Sequence, residues 1–181
     1  MSSNWSSIAR RIRVPLGFAM AVLYMGLAKP TLKSVLLGSV LVGLGIGIRA
    51  VASGHVQKNE ALATSGPYAY TRNPLYLGSM VLASGFALAA RSGWILGALA
   101  IMFAAIYIPV IRSEEDFLRQ RFPEFQAYAA RVPRLLPRLR APDAGSGSFS
   151  WDLYRKHREY NAILGGAVVM TALVAKLLWL P

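Results

Sequence analysis

Five stretches of this chain carry no charged residue, and arginine-rich polar segments separate most of them. Val14 to Ala28 and Ser34 to Ile48 each run 15 residues without a charge. Asn73 to Ala90 runs 18, Ser92 to Ile111 runs 20 and Tyr160 to Ala175 runs 16. A spanning helix needs about 17–25 residues, because each adds only about 1.5 Å along its axis. The two shortest runs reach that length when Arg13, Lys29 and Arg49 at their edges snorkel toward headgroups. The pattern predicts an all-α, polytopic integral membrane protein, a single membrane domain over 1–181. About five transmembrane helices are expected, at about 13–30, 34–52, 74–90, 92–111 and 160–180. Between them lie polar segments at 53–73 and 112–140. A linker at 141–150 is rich in Gly, Ser and Ala.

Composition agrees with the pattern. Hydrophobic residues make up 55% of the chain and charged residues 15%, where a soluble domain carries about 25%. With the N-terminus inside, Arg10, Arg11, Arg13, Arg49, Lys58, Arg72 and every basic residue from Arg112 to Arg158 share one side, 16 of the 20. Only Lys29, Lys33, Arg91 and Lys176 fall on the other. The bias of basic residues toward the cytoplasm therefore predicts a cytoplasmic N-terminus and cytoplasmic long loops. The net charge of +12 then reflects contact with anionic lipid rather than nucleic acid, for which no soluble basic domain exists. Residues 1–28, arginines followed by an apolar stretch, also fit a cleaved signal. Cleavage would leave Lys29-Pro30 at the new terminus and only four helices for the same loops, so the segment reads as a retained helix. The chain has no cysteine and only His55 and His157, which argues against thiolate chemistry and a metal centre. Both histidines sit in polar segments and are expected to be solvated or interfacial.

Small residues recur one turn apart at Gly43 and Gly47, at Ser79, Ala83 and Ala87, and at Gly93 and Gly97, and predict close helix packing there. The polar segments carry the candidate chemistry. Ser65-Gly66-Pro67 is a turn signal. Pro74 suits the first turn of a helix, and Asn73 before it suits a cap. Ser113-Glu114-Glu115-Asp116 has the character of a helix start. Phe117, Leu118, Phe122, Phe125 and Tyr128 then form an apolar side, broken at Pro123, opposite a basic side. Acids so close to hydrocarbon usually have a partner or a ligand. Trp151, Tyr154, Arg155, Lys156, Arg158 and Tyr160 read as a surface helix leading into the last span. Arg49, near the end of the second span, reads as a snorkelling residue, with a place in the pocket lining as the alternative.

Two blocks carry a resemblance. Gly66-Pro67-Tyr68-Ala69-Tyr70-Thr71-Arg72-Asn73-Pro74-Leu75-Tyr76-Leu77-Gly78 resembles the G-P-Y-x-Y-x-R-H-P-x-Y-x-G signature of the isoprenylcysteine carboxyl methyltransferase and phospholipid methyltransferase group. Glu114-Glu115 with Leu118, Phe122, Tyr128, Arg131-Val132-Pro133 and Leu136-Pro137 resembles that group's second block. The resemblance spans about residues 50–137. It implies an S-adenosylmethionine-dependent methyltransferase with a cytoplasmic-face cofactor pocket formed by interhelix segments. Its acceptor would be a lipid-like or prenylated molecule, methylated on a carboxylate or on a phospholipid amine. It implies cofactor contacts from Tyr68, Tyr70, Arg72, Asn73, Pro74, Tyr76, Leu77, Glu114 and Glu115. Catalytic or substrate-holding roles fall to Glu115, Arg131 and Arg121. No metal or nucleic-acid partner is implied.

The departure is Asn73, where the group usually has histidine. Asparagine forms hydrogen bonds but does not titrate, which inclines the reading toward an acceptor that needs no base, such as a carboxylate. Two rivals stand beside this one. Membrane sterol reductases, which use NADPH, share a similar arginine-proline-tyrosine block but are usually much longer. A non-catalytic membrane binding protein is the other, and Asn73 is the feature that favours it.

Overall fold

The computed structural model describes residues 2–57, 60–140 and 147–179; Lys58 and most of the expected linker (141–146) lie outside them. Every regular element among the described residues is helical, and none is a strand. Helix α1 (Ser2–Leu27) begins well before the expected 13 and carries Pro15 within it. Pro30 and Thr31 separate it from α2 (Leu32–Ser53). Thr31 opens α2 with a capping box: its hydroxyl accepts from the Ser34 N–H while its own N–H donates to Ser34 Oγ. A short 3₁₀ turn (Gly66–Ala69) precedes α3 (Pro74–Ala90), which starts where the proline predicts.

The next helix departs most from expectation. Helix α4 (Gly93–Met102), a π-helical turn (Phe103–Tyr107) and α5 (Ile108–Arg121) run on as one 29-residue helix. Ser113 to Asp116 therefore lie inside a helix and do not start one. The π turn sits directly ahead of Pro109, whose ring and missing N–H disturb a regular ladder. Helix α6 (Phe125–Arg131) follows the break at Pro123, and α7 (Trp151–Lys156) leads into α8 (Tyr160–Trp179).

Among the described residues, three helices are long and apolar enough to cross a membrane: Leu32–Ser53, Gly93–Arg121 and Tyr160–Trp179. Gly17–Leu27 and α3 are apolar but shorter. Only 11% of the apolar stretch of α8 is buried within the protein. Phe18, Val22, Trp94 and Val168 are exposed as well. Apolar side chains turned outward over whole helices suit lipid, not water.

The most extensive packing joins α2 to α3, and it uses glycines other than those the spacing suggests. Gly38 meets Gly85, and Gly45 meets Gly78. A Cβ on Gly38 would stand 2.6 Å from the Gly85 carbonyl oxygen, and one on Gly45 would stand 2.6 Å from that of Gly78. Gly38 and Gly45 on α2, and Gly78 and Gly85 on α3, are each seven residues apart, two turns, so one glycine face meets another along the antiparallel crossing. Gly43, Gly47, Gly93 and Gly97 instead face open space. Beyond the glycines, Ser34 Oγ donates to the Ala89 carbonyl at 3.0 Å. Tyr24, Ala28, Ala87, Ala90, Ile95 and Leu173 close a core at that end. The opposite end is polar, and there the site lies.

Candidate active site

The polar ends of α3 and α5 are joined through one carboxylate. Glu115, with 3% of its side chain exposed, accepts from Arg72 Nε at 3.0 Å and Arg72 Nη2 at 3.3 Å. It also accepts from Asn73 Nδ2 at 3.1 Å, and from Arg134 Nε at 2.9 Å and Nη2 at 2.8 Å. The cluster extends into backbone. Arg72 Nη1 donates to the carbonyls of Ala129 (2.7 Å) and Val132 (2.9 Å), and Asn73 Nδ2 to that of Arg134 (2.9 Å). Asn73 therefore does not cap α3 with its side chain, as its position suggests; it ties the helix start to the 131–135 segment. The Thr71 hydroxyl donates to the same stretch at Leu135. A buried carboxylate needs this many donors, because low dielectric makes an unpaired charge costly.

Glu114, the preceding residue, points elsewhere. Neighbours in a helix stand about 100° apart, so when Glu115 faces the cluster Glu114 faces a cavity of about 690 Å³. There Glu114 accepts from Tyr76 Oη at 2.9 Å. Tyr76 packs edge-on against Tyr107, which stacks on Phe103 in the π turn. The cavity walls carry Tyr68, Arg72, Asn73, Pro74, Tyr76, Glu114 and Glu115, with Phe117, Leu118, Phe125 and Tyr128. Burial pushes the Tyr68 and Tyr128 hydroxyls well above the ordinary tyrosine range. Both stay neutral, and Tyr128 donates to the Tyr68 carbonyl at 2.8 Å.

The remaining wall comes from residues the sequence undervalued. Arg49 does not simply snorkel: Nε and Nη2 grip Glu159 at 2.8–3.0 Å, and Nη1 donates to Ser79 Oγ at 2.6 Å. Both members of this pair line the cavity. The surface helix is held beneath it, with the Ser150 N–H on the Gly54 carbonyl and His157 Nδ1 3.2 Å from the Ser53 carbonyl oxygen. Only an unmatched arginine at a helix end signals such a wall in sequence, since Glu159 lies 110 residues from its partner.

Four of the expected residues fall outside the cavity. Tyr70 and Leu77 face an apolar groove on the other side of Pro74. Arg121 ends α5 exposed, and Arg131 is exposed on α6 with Nε on its own helix, at the Ala127 carbonyl. Neither arginine lines the cavity, because the helices that carry them turn those faces outward.

A profile described as phospholipid methyltransferase matches residues 16–124. The chain belongs to the phospholipid methyltransferase family. The match takes in α2, α3 and the whole α4–α5 helix, and so Tyr76, Glu114 and the ion cluster apart from Arg134. It ends short of Glu159 and the 131–140 segment. Among similar curated proteins is the cobalt-zinc-cadmium resistance protein CzcN of Cupriavidus metallidurans, 43% identical over 83 residues, covering 46% of this chain and 38% of that protein. Another is the nickel-cobalt-cadmium resistance protein NccN of Alcaligenes xylosoxydans xylosoxydans, 42% identical over 83 residues, 46% of this chain and 39% of that one. The matched stretch spans about two fifths of the length of these relatives. No solved structure matches.

Proposed function

We propose that this family member uses S-adenosylmethionine, bound in the cavity between α3 and α5, to methylate a lipid-like acceptor at the cytoplasmic face. The observation that carries the reading is Glu114. Among the described residues, the other cavity carboxylates, Glu115 and Glu159, each face an arginine, while Glu114 has only the Tyr76 hydroxyl. A carboxylate without a cation, walled by tyrosines, suits a ligand that brings positive charge. The volume of about 690 Å³ lies within the roughly 300–1,000 Å³ of small-molecule and cofactor sites.

In this reading Tyr68, Arg72, Asn73, Pro74, Tyr76 and Glu114 hold the cofactor, and Glu115 positions Arg72 and Asn73 without touching the reaction. When bound, the cofactor supplies an electrophilic methyl group. The protein's own part is alignment and exclusion of water, which need no covalent intermediate. Aromatic walls and the Arg49–Glu159 wall do the excluding. Arg121 and Arg131 have no part in it. The carboxylate acceptor that Asn73 suggests finds little support, since both cavity arginines, Arg49 and Arg72, already hold carboxylates. The metal-resistance names of the relatives say nothing further about the acceptor; among the described residues no three of His, Cys, Asp and Glu come together as a metal-binding set.

Calorimetric titration of S-adenosylmethionine into detergent-purified protein tests the reading. Wild type is expected to bind saturably, and Glu114→Gln about tenfold or more weakly, as loss of a charge-assisted contact implies. Absence of binding by folded wild type overturns it.

A further inference from the structure

The groove beyond Pro74 is unlike the cavity. It has a volume of about 880 Å³ and an almost wholly apolar lining: Val40, Gly43, Leu44, Gly47 and Val51 of α2, facing Leu77 of α3. Gly43 and Gly47 keep its floor open, with nothing within 4 Å of where a Cβ would stand. From Val40 to Val51 the helix rises about 16 Å, close to half of a hydrocarbon core about 30 Å thick. The groove thus follows α2 through one leaflet only, the one nearest the polar segments.

Its polar end is closed by Pro67, Tyr70 and Pro137. The backbone there is fixed, since the Arg138 N–H donates to the Tyr70 carbonyl at 3.0 Å. Arg138 and Arg140 follow Pro137, are exposed, and have no acidic partner among the described residues. Between and before them, Leu139 is 99% exposed and Leu136 78%. Leucines laid bare among arginines mark a segment at the boundary between headgroups and acyl chains.

We propose that this groove is a second lipid site, holding one acyl chain of an anionic phospholipid whose headgroup meets Arg138 and Arg140. An open apolar trough of one leaflet's depth, ending at two unpaired cations at headgroup level, matches that ligand in length and in charge. The site is separate from the methyl-transfer cavity, touching it only at Pro74, and does not rest on the cofactor reading.

Native mass spectrometry of the delipidated full chain tests it, using phosphatidylglycerol and phosphatidylcholine with identical chains. One phosphatidylglycerol is expected to be retained, with a preference over phosphatidylcholine of roughly 30-fold for two arginines at the surface. Gly43→Leu with Gly47→Leu fills the trough and abolishes retention of both lipids. Arg138→Gln with Arg140→Gln keeps retention but removes the preference. Equal retention of the two lipids by wild type overturns the proposal, as does undiminished retention in a folded leucine variant. A wild-type dimer that the leucines dissociate, with no lipid retained, also overturns it, since a second copy then covers the groove. Should the leucine variant fail to fold, the arginine variant decides alone.

Discussion

Glu114 and Glu115 are neighbours in sequence and opposites in the structure. Glu115 is enclosed by two arginines and an asparagine and binds the start of α3 to the 129–135 segment. Glu114 looks into the cavity, and among the described residues it meets one tyrosine hydroxyl. One helical step of about 100° separates a residue that holds the site together from one that is free to meet a ligand. In a pair of acids beside hydrocarbon, the number of donors around each carboxylate distinguishes the roles better than residue type.

The comparison can be broken or sharpened by substitution. The largest effect is expected from Glu115→Ala, which leaves Arg72 buried without its partner and should cost about 3–5 kcal/mol of stability. It is measured as a fall in denaturation midpoint in detergent, with cofactor binding lost only as a consequence of unfolding. A Glu115→Ala protein of wild-type stability that no longer binds cofactor would move Glu115 from the fold to the reaction. Tyr76→Phe removes one hydrogen bond from Glu114 and keeps the ring packed on Tyr107. A loss of roughly 2–10-fold in cofactor affinity is expected, at unchanged thermal stability. Arg131→Ala and Arg121→Ala change exposed side chains outside the cavity, so both should leave cofactor affinity within about twofold of wild type; a tenfold loss in either would return those arginines to the site.

What the sequence legibly contains is whatever depends on local pattern. Uncharged runs of 15 to 20 residues announce apolar helices whatever their neighbours, because the bilayer acts on each helix separately. Pro74 marks the start of α3, and the two motif blocks name the residues on either side of the cavity. The direction each residue faces is a different matter. A spacing of four brings small residues onto one face of a helix without saying whether that face meets protein or lipid. Gly43 and Gly47 therefore look like packing residues but lie open, while Gly38 and Gly45, seven apart, make the crossing with α3.

The same limit governs the charges. From sequence, Arg49 is one cation at a membrane boundary, and only its meeting with Glu159 across 110 residues makes it a cavity wall. Asn73 looks like a cap, but Glu115 and the Arg134 carbonyl compete successfully for its amide. Hydrophobic length and motif chemistry are properties of the chain itself, and they determined the helices and the family. Which carboxylate is neutralised, which arginines stay unpaired and which grooves stay open depend on the relative rotation and approach of helices far apart in sequence, so only the tertiary structure decided them.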